Sequence, residues 1–132
     1  MIIEVSALIL TALLFGGMTF FSFGFAPVLF AQLPMDRVRP LLRGTFPYYY
    51  LAVILLGATA TGVTLAVDVT AGALIGVITA STVYARQILM PQINAATDRD
   101  DKRAFGRLHG LSVVIQLVQI GLAGWAVVLL AG

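Results

Sequence analysis

The basic residues of this chain lie in two short stretches, and long uncharged segments separate them. Three arginines fall between positions 37 and 43, and the other five basic residues fall between positions 86 and 107. The segments without Asp, Glu, Lys or Arg are residues 5–35, 44–67, 69–85 and 108–132. Three of them exceed the roughly 20 apolar residues that a bilayer-spanning helix needs. The pattern predicts an all-α integral membrane protein with four spanning helices.

The same charge pattern predicts how the helices are oriented. Lys and Arg are concentrated in cytoplasmic loops, so the stretches 32–46 and 91–107 are expected inside, with both termini and the turn at Asp68 outside. The fold is then a single domain, residues 1–132, built as an antiparallel four-helix bundle. Its helices are predicted at about 4–30, 47–67, 70–96 and 99–130. We expect the first to bend at Pro27 and the connection 32–46 to lie in the membrane interface.

Composition indicates the partners of such a chain. The apolar share is 60%, the net charge is +2 and cysteine is absent, which excludes disulfides and thiolate chemistry. Basic side chains beside helix ends bind anionic lipid headgroups, so lipid is the expected partner and nucleic acid is not. The residues predicted to bind headgroups are Arg37, Arg39, Arg43, Lys102, Arg103 and Arg107.

Small residues predict a close contact between the second and third helices. A hairpin centred on Val69 pairs residues that are equidistant from it, and the paired positions are small on both helices. Small residues let membrane helices approach where no hydrophobic effect drives them together. The predicted pairs are Ala58 with Ala80, Gly62 with Gly76 and Ala66 with Gly72.

Polar residues on the fourth helix predict a buried cluster. His109, Ser112 and Gln116 follow one helical stripe, and a turn centred near Thr97 would bring Arg86 opposite His109. The predicted cluster comprises Arg86, Asn94, His109, Ser112 and Gln116. Two interpretations stay open: interhelical hydrogen bonds that only hold the helices together, or a functional site marked by ionisable groups within the membrane.

The sequence contains few residues that could bind a cofactor or catalyse a reaction. His109 could ligate haem b, but the chain offers no second histidine, so our prediction is that no cofactor is bound. Copper(I) held by Met35, Met90 and His109 is a weaker alternative, and no metal site is predicted. The middle of the membrane has no carboxylate or cysteine for acid–base or nucleophilic catalysis, so we expect no enzyme.

Three groups of residues resemble a small four-helix membrane family of unknown function, which includes a eukaryotic transmembrane protein linked to platinum-drug resistance. They are Gly16–Gly17 with Phe25–Ala26–Pro27 and Phe30; Arg86, Met90–Pro91, Asn94 and Asp98; and Phe105, Leu108–His109 and Ser112. The resemblance implies a fold but no mechanism. Where that family has a polar residue such as Asn one turn beyond the serine, this chain has Gln116 and Gln119. A more distant likeness to copper-resistance and haem-associated four-helix membrane proteins rests on helix count and one histidine.

These observations lead to two hypotheses of function. The first is a non-enzymatic accessory or assembly subunit of a bacterial inner membrane, which packs against a larger complex, or against itself, through glycine-rich helix faces. The second is a small transport or ligand-binding protein that uses Arg86 and His109 to hold haem, a metal or an anionic molecule. The sequence favours the first, because so few ionisable groups fall within the spans.

Overall fold

The computed structural model describes residues 1–132 as four long helices without strands. They are α1 (Ile2–Gln32), α2 (Met35–Leu65), α3 (Val69–Asp98) and α4 (Lys102–Ala131). Each is long and apolar enough to cross a membrane. The predicted all-α, four-helix membrane fold is therefore confirmed.

The second helix begins earlier than the sequence predicted. It was expected at 47–67, after an interfacial connection at 32–46, but α2 is helical from Met35 onwards and contains both Pro40 and Pro47. Pro34, in extended backbone, precedes its first turn. Prolines are tolerated inside membrane helices because neighbouring groups satisfy the backbone atoms that they leave free. The connection between α1 and α2 is thus only residues 33–34.

Two prolines follow π-helical turns at matching places in α1 and α3. The backbone N–H of Ala26 donates to Phe21, five residues earlier, and Pro27 comes next. In α3, Met90 donates to Ala85 in the same way before Pro91. Proline has no N–H to donate to the carbonyl four residues before it. In the π turn the preceding residue donates to the carbonyl five residues before it, so the helix continues past the missing bond. The break expected at Pro27 therefore takes the form of a π turn that precedes it.

The helices pack in a ring, each against its neighbours along the chain and α4 against α1. Short turns at 33–34, 66–68 and 99–101 make consecutive helices antiparallel. The basic residues other than Arg86 consequently lie toward one end of the bundle, with the termini and the 66–68 turn at the other. The buried core residues are Leu14, Met18, Val53, Ala60, Ala71, Ile75, Ile78, Ala123 and Ala126.

The two helical hairpins repeat one another, which the sequence analysis did not detect. Ala7, Thr11, Leu14 and Met18 are buried in α1, and the α3 residues 64 positions later, Ala71, Ile75, Ile78 and Thr82, are also buried. The π turns of α1 and α3, and the prolines that follow them, are separated by the same 64 positions. In the second helix of each hairpin, Val53, Gly57 and Ala60 correspond at 66 positions to the buried Gln119, Ala123 and Ala126. The bundle is therefore built from two similar halves.

The contact between α2 and α3 is close, as predicted, but its register differs. A Cβ added to Gly72 would lie 2.6 Å from Leu65 Cδ2, and one added to Gly76 would lie 3.7 Å from Thr61 Cγ2. One added to Gly57 would lie 2.4 Å from Thr79 Oγ1. The predicted partners Ala58, Gly62, Ala66 and Ala80 are instead exposed. The α2 residues in contact lie one position before the predicted ones, because the turn is centred about half a residue earlier than Val69.

Candidate functional site: a polar layer across the bundle

Hydrogen bonds between polar side chains connect all four helices at one level of the bundle. Two α4 glutamines donate these bonds, and hydroxyl groups of the other three helices accept them. We call this group the polar layer: Ser22, Tyr49, Ser81, Thr82, Gln116 and Gln119. Such bonds link membrane helices and satisfy polar atoms that have no access to water.

Gln116 connects α4 with the first hairpin. Its amide nitrogen donates to Ser22 Oγ on α1 at 2.9 Å and also to the Tyr49 hydroxyl on α2. The Tyr49 ring stacks on Phe21, with 3.9 Å between the ring centroids and 15° between the planes. Because Phe21 opens the π turn of α1, this stack fixes the irregular part of α1 against α2. Gln116 thus binds at the point where α1 departs from regular helix.

Gln119, one turn further along α4, connects it with α3. Only 4% of Gln119 is exposed, and its amide nitrogen donates to Ser81 Oγ at 2.7 Å and to Thr82 Oγ1 at 3.0 Å. Both hydroxyls in turn donate to the carbonyl of Ile78. The two hydroxyl groups therefore accept hydrogen bonds from the Gln119 amide and donate their own hydrogens to a backbone carbonyl. This arrangement holds α3 and α4 in one register.

The predicted cluster is only partly assembled. Gln116 makes interhelical bonds, as described, but to Ser22 and Tyr49. Arg86 donates from Nε to the carbonyl of Pro47 at 3.1 Å and from its terminal nitrogen to Gln87. No hydrogen bond joins Arg86 to the other predicted members. Arg86 instead connects α3 with α2 near the start of the α2 aromatic run.

The remaining predicted members lie nearer the basic end. His109 is exposed, makes no side-chain hydrogen bond and stacks on Phe105, with ring centroids 5.3 Å apart. Ser112 donates to the His109 carbonyl, within its own helix. Asn94 is half-buried on α3. These side chains do not form one hydrogen-bonded site with Arg86.

The register of the α3–α4 hairpin explains the difference. The prediction centred the turn near Thr97, but the turn occupies 99–101, and Asp100 at its middle has the positive φ of 54°. Residues equidistant from Asp100 then meet, as Gln119 and Ser81 do. Arg86 consequently lies level with Val114 rather than with His109.

The basic end of the bundle contains two ion pairs between side chains. Arg43 binds Asp98 through two bonds, of 2.7 and 3.0 Å, which join α2 to the end of α3. Arg99 lies 3.5 Å from Asp101, whose carboxylate also accepts the backbone N–H of Ala104 and caps α4. That backbone bond, and then the charge of Arg99, hold the pKa of Asp101 below its ordinary value. The cap is therefore complete at neutral pH and is lost only as pH falls through the lowered pKa.

The other basic residues predicted to bind headgroups form no ion pair with a carboxylate. Of the six, only Arg43 has a carboxylate within 4.0 Å. The five without one are exposed, namely Arg37, Arg39, Lys102, Arg103 and Arg107. Their charges are free to attract anionic groups at the membrane surface.

Most of the polar layer was missed by the sequence analysis. Gln116 was named as a member of a site and Gln119 was noted, but Ser22, Tyr49, Ser81 and Thr82 were not. Serine and threonine are common in membrane helices, where they bond to their own backbone, so their presence alone carries little information. The useful signal was the pair of glutamines one turn apart, because each needs partners on another helix.

Comparison with known proteins places the chain in a family. A domain of unknown function, DUF4149, matches residues 9–102. The chain belongs to the DUF4149 family. The matched part covers α1 from Ile9 onwards, all of α2 and α3, and ends at the start of α4. Gln116, Gln119 and His109 therefore lie beyond it. Neither the curated proteins nor the solved structures gave a match. The likeness to the eukaryotic protein linked to platinum-drug resistance stays a prediction.

Proposed function

We propose that this DUF4149 protein is a non-enzymatic accessory or assembly subunit that packs against another membrane protein through the outside of α4. The observation that carries the proposal is a stripe of small and apolar residues there. We call it the outer face of α4: Gly106, Gly110, Val113, Leu117 and Gly121. These positions follow helical spacing, and all of them are exposed.

The glycines of this face have no role in packing the bundle itself. A Cβ added to Gly106, Gly110 or Gly121 would meet no atom within 4 Å. Gly106 and Gly110 are four residues apart, the spacing that lets two membrane helices approach closely. In addition, α4 is the most apolar of the four spans and has the smallest buried share. A helix of another subunit is the partner that such a surface fits.

A matched pair of variants tests this proposal. We expect wild-type protein purified in a mild detergent to retain another membrane subunit, and Gly110→Leu to lose it, because the new side chain keeps the two helices apart. Gly62→Leu is the control, since Gly62 is equally exposed and open but lies on α2. A lone wild-type monomer, or a Gly110→Leu variant that keeps its partner, would contradict the proposal.

The competing hypothesis is a ligand-binding or transport function centred on His109 and Arg86. It is supported by the exposed imidazole, whose ring nitrogens make no bond within the chain. An absorption spectrum of the same purified material distinguishes the two hypotheses. A Soret band lost in His109→Ala would establish haem binding, whereas a spectrum without it, together with a co-purified subunit, would favour the accessory role.

The orientation that we propose places the basic end of the bundle in the cytoplasm of a bacterial cell and both termini outside. It rests on the position of seven of the eight basic residues toward one end, on the side of the 33–34 and 99–101 turns, while Arg86 lies within α3. A reporter fused after Gly132 should therefore be active in the periplasm, and one inserted near Asp100 should be active in the cytoplasm. The opposite result would reverse the orientation.

A further inference from the structure

A shallow groove, open to the surroundings, runs between α1 and α2 on the outer surface of the bundle. Its wider part has a volume of about 430 Å³ and is lined by Gly17, Phe20, Phe25, Thr45 and Tyr48, with Phe21 and Tyr49 beneath them. A second hollow of about 130 Å³ continues it as far as Leu56 and shares Gly17 and Tyr49 with it. The groove is therefore elongated along the helices, and nearly all of its lining is apolar.

The groove follows from particular residues. Gly17 contributes no side chain, and a Cβ added there would meet nothing within 4 Å. The stacked rings of Phe21 and Tyr49 form its floor. Phe20 and Tyr48 line it from α1 and α2 and are 68% and 75% exposed. These two side chains are thus in place to contact a further molecule.

The length of the groove indicates what occupies it. From Thr45 to Leu56 it extends over about 16 Å, given the helical rise of 1.5 Å per residue. That is roughly half of the 30 Å hydrocarbon core, the depth of a single leaflet. A partner helix would cross both leaflets and need a longer contact. A lipid acyl chain, which ends at the bilayer midplane, fits this length.

The charge at the end of the groove indicates the headgroup. Helical spacing places Arg37 on the same stripe of α2 as Leu41, Thr45 and Tyr48. Neither Arg37 nor Arg39 has a carboxylate within 4.0 Å, whereas Arg43 is paired with Asp98. A phospholipid with an acyl chain in the groove would extend its phosphate toward Arg37, two helical turns beyond Thr45, where negative charge is stabilised.

We propose that the groove between α1 and α2 is a binding site for one anionic phospholipid from the leaflet at the basic end. Its acyl chain lies against Gly17 between Phe20 and Tyr48, and Arg37 binds its phosphate. The site is separate from the outer face of α4, so it does not depend on the accessory-subunit proposal. It also goes beyond attraction of headgroups by scattered basic residues, because it specifies a position for one lipid.

The second hairpin supports this specificity. The residue of α3 that corresponds to Gly17, 64 positions later, is Ser81. The residues of α4 that correspond to Thr45 and Tyr48, 66 positions later, are Leu111 and Val114. Ser81 is occupied by its bond from Gln119. The repeated fold therefore does not require an open glycine flanked by an exposed tyrosine, and these features belong to the first hairpin alone.

Native mass spectrometry of the protein in a mild detergent tests the site, with phosphatidylglycerol or phosphatidylcholine added in separate titrations. We expect one phosphatidylglycerol to bind more tightly than phosphatidylcholine. Gly17→Leu should weaken phosphatidylglycerol binding about tenfold, because its side chain takes the space of about two chain methylenes. Arg37→Gln should reduce phosphatidylglycerol affinity to that of phosphatidylcholine. Gly62→Leu, an open glycine outside the groove, should bind as wild type does.

Tyr48→Ala, which removes an exposed ring that lines the groove, serves as a second variant if Gly17→Leu does not fold, and it should also weaken binding. Wild-type affinity for phosphatidylglycerol in folded Gly17→Leu, or in Tyr48→Ala, would overturn the proposal. Equal loss in Gly62→Leu would overturn it as well, by assigning the bound lipid to the general lipid shell. A dimer mass that disappears in Gly17→Leu would assign the groove to a second copy of the chain instead.

Discussion

Replacement of Gly57 by leucine is expected to lower the free energy of unfolding by about 1–3 kcal/mol, the usual cost of overpacking a tight interior. Gly57 is buried where α2 meets α3, and a Cβ there would already lie 2.4 Å from Thr79 Oγ1 and 3.4 Å from Thr79 Cβ. The larger leucine side chain must separate the helices or displace Thr79 from its bond to the Ile75 carbonyl. Unfolding followed in a mild detergent measures the change.

Gly62→Leu is the control for this prediction. Gly62 lies on the same helix, in the same type of backbone, but is exposed, and a Cβ there would meet nothing within 4 Å. Its replacement should leave stability near that of wild type. Equal stability of the Gly57 and Gly62 variants would mean that the α2–α3 register described here is wrong.

Replacement of Gln119 by leucine is expected to cost about 1–2 kcal/mol of stability, because it removes two interhelical side-chain bonds that average about 0.6 kcal/mol each in a membrane protein. The leucine has similar bulk but cannot donate to Ser81 and Thr82, so α4 loses its polar contact with α3. Both hydroxyls keep their own bonds to the Ile78 carbonyl, which limits the cost. The unfolding measurement used for Gly57 applies here.

Gln92→Leu provides the matched control, because Gln92 is an exposed glutamine of α3. A surface substitution of this kind changes stability by no more than about 0.5 kcal/mol. If the Gln119 and Gln92 variants were equally stable, the polar layer would contribute nothing to holding the bundle together.

The sequence predicted the elements that depend on hydrophobic length and charge. Four uncharged runs and the clustered arginines were enough to predict four membrane-spanning helices, because lipid permits few other structures. The start of α2 was not predictable in the same way. Pro40 and Pro47 suggest a break in any helix considered alone, but the chain continues through both.

Details of register decided which site residues meet. An error of about three residues in the centre of the α3–α4 turn was enough to pair Arg86 with His109 in the prediction. The α2–α3 turn was placed more accurately, so Gly72 and Gly76 were correctly assigned to the contact while their α2 partners were missed by one position. A turn of three residues has no sequence signal sharp enough to fix its centre. Asp100 adopts a positive φ, which aspartate tolerates better than most residues, but an aspartate alone does not identify the middle of a turn.

The repeat of the two hairpins separates residues that maintain the fold from residues that are specific to one half. Most buried positions, the π turns and the prolines that directly follow those turns correspond in both halves, so they belong to the architecture. Residues that differ between corresponding positions are free of that constraint. The groove of the first hairpin is of this kind at Gly17, whose counterpart is Ser81. On the outer face of α4, Gly106, Val113 and Gly121 differ from their counterparts, whereas Gly110 and Leu117 match Gly44 and Leu51.

Photocrosslinking in intact cells tests the central claim, that the outer face of α4 binds another membrane protein, most directly. A benzophenone amino acid would replace Leu117, at the middle of that face, or Leu55, which is 62% exposed on α2 and serves as the control. We expect one discrete crosslinked product heavier than the monomer from position 117 and none from position 55. Uncrosslinked monomer alone at position 117, or the same products from both positions, would contradict this claim.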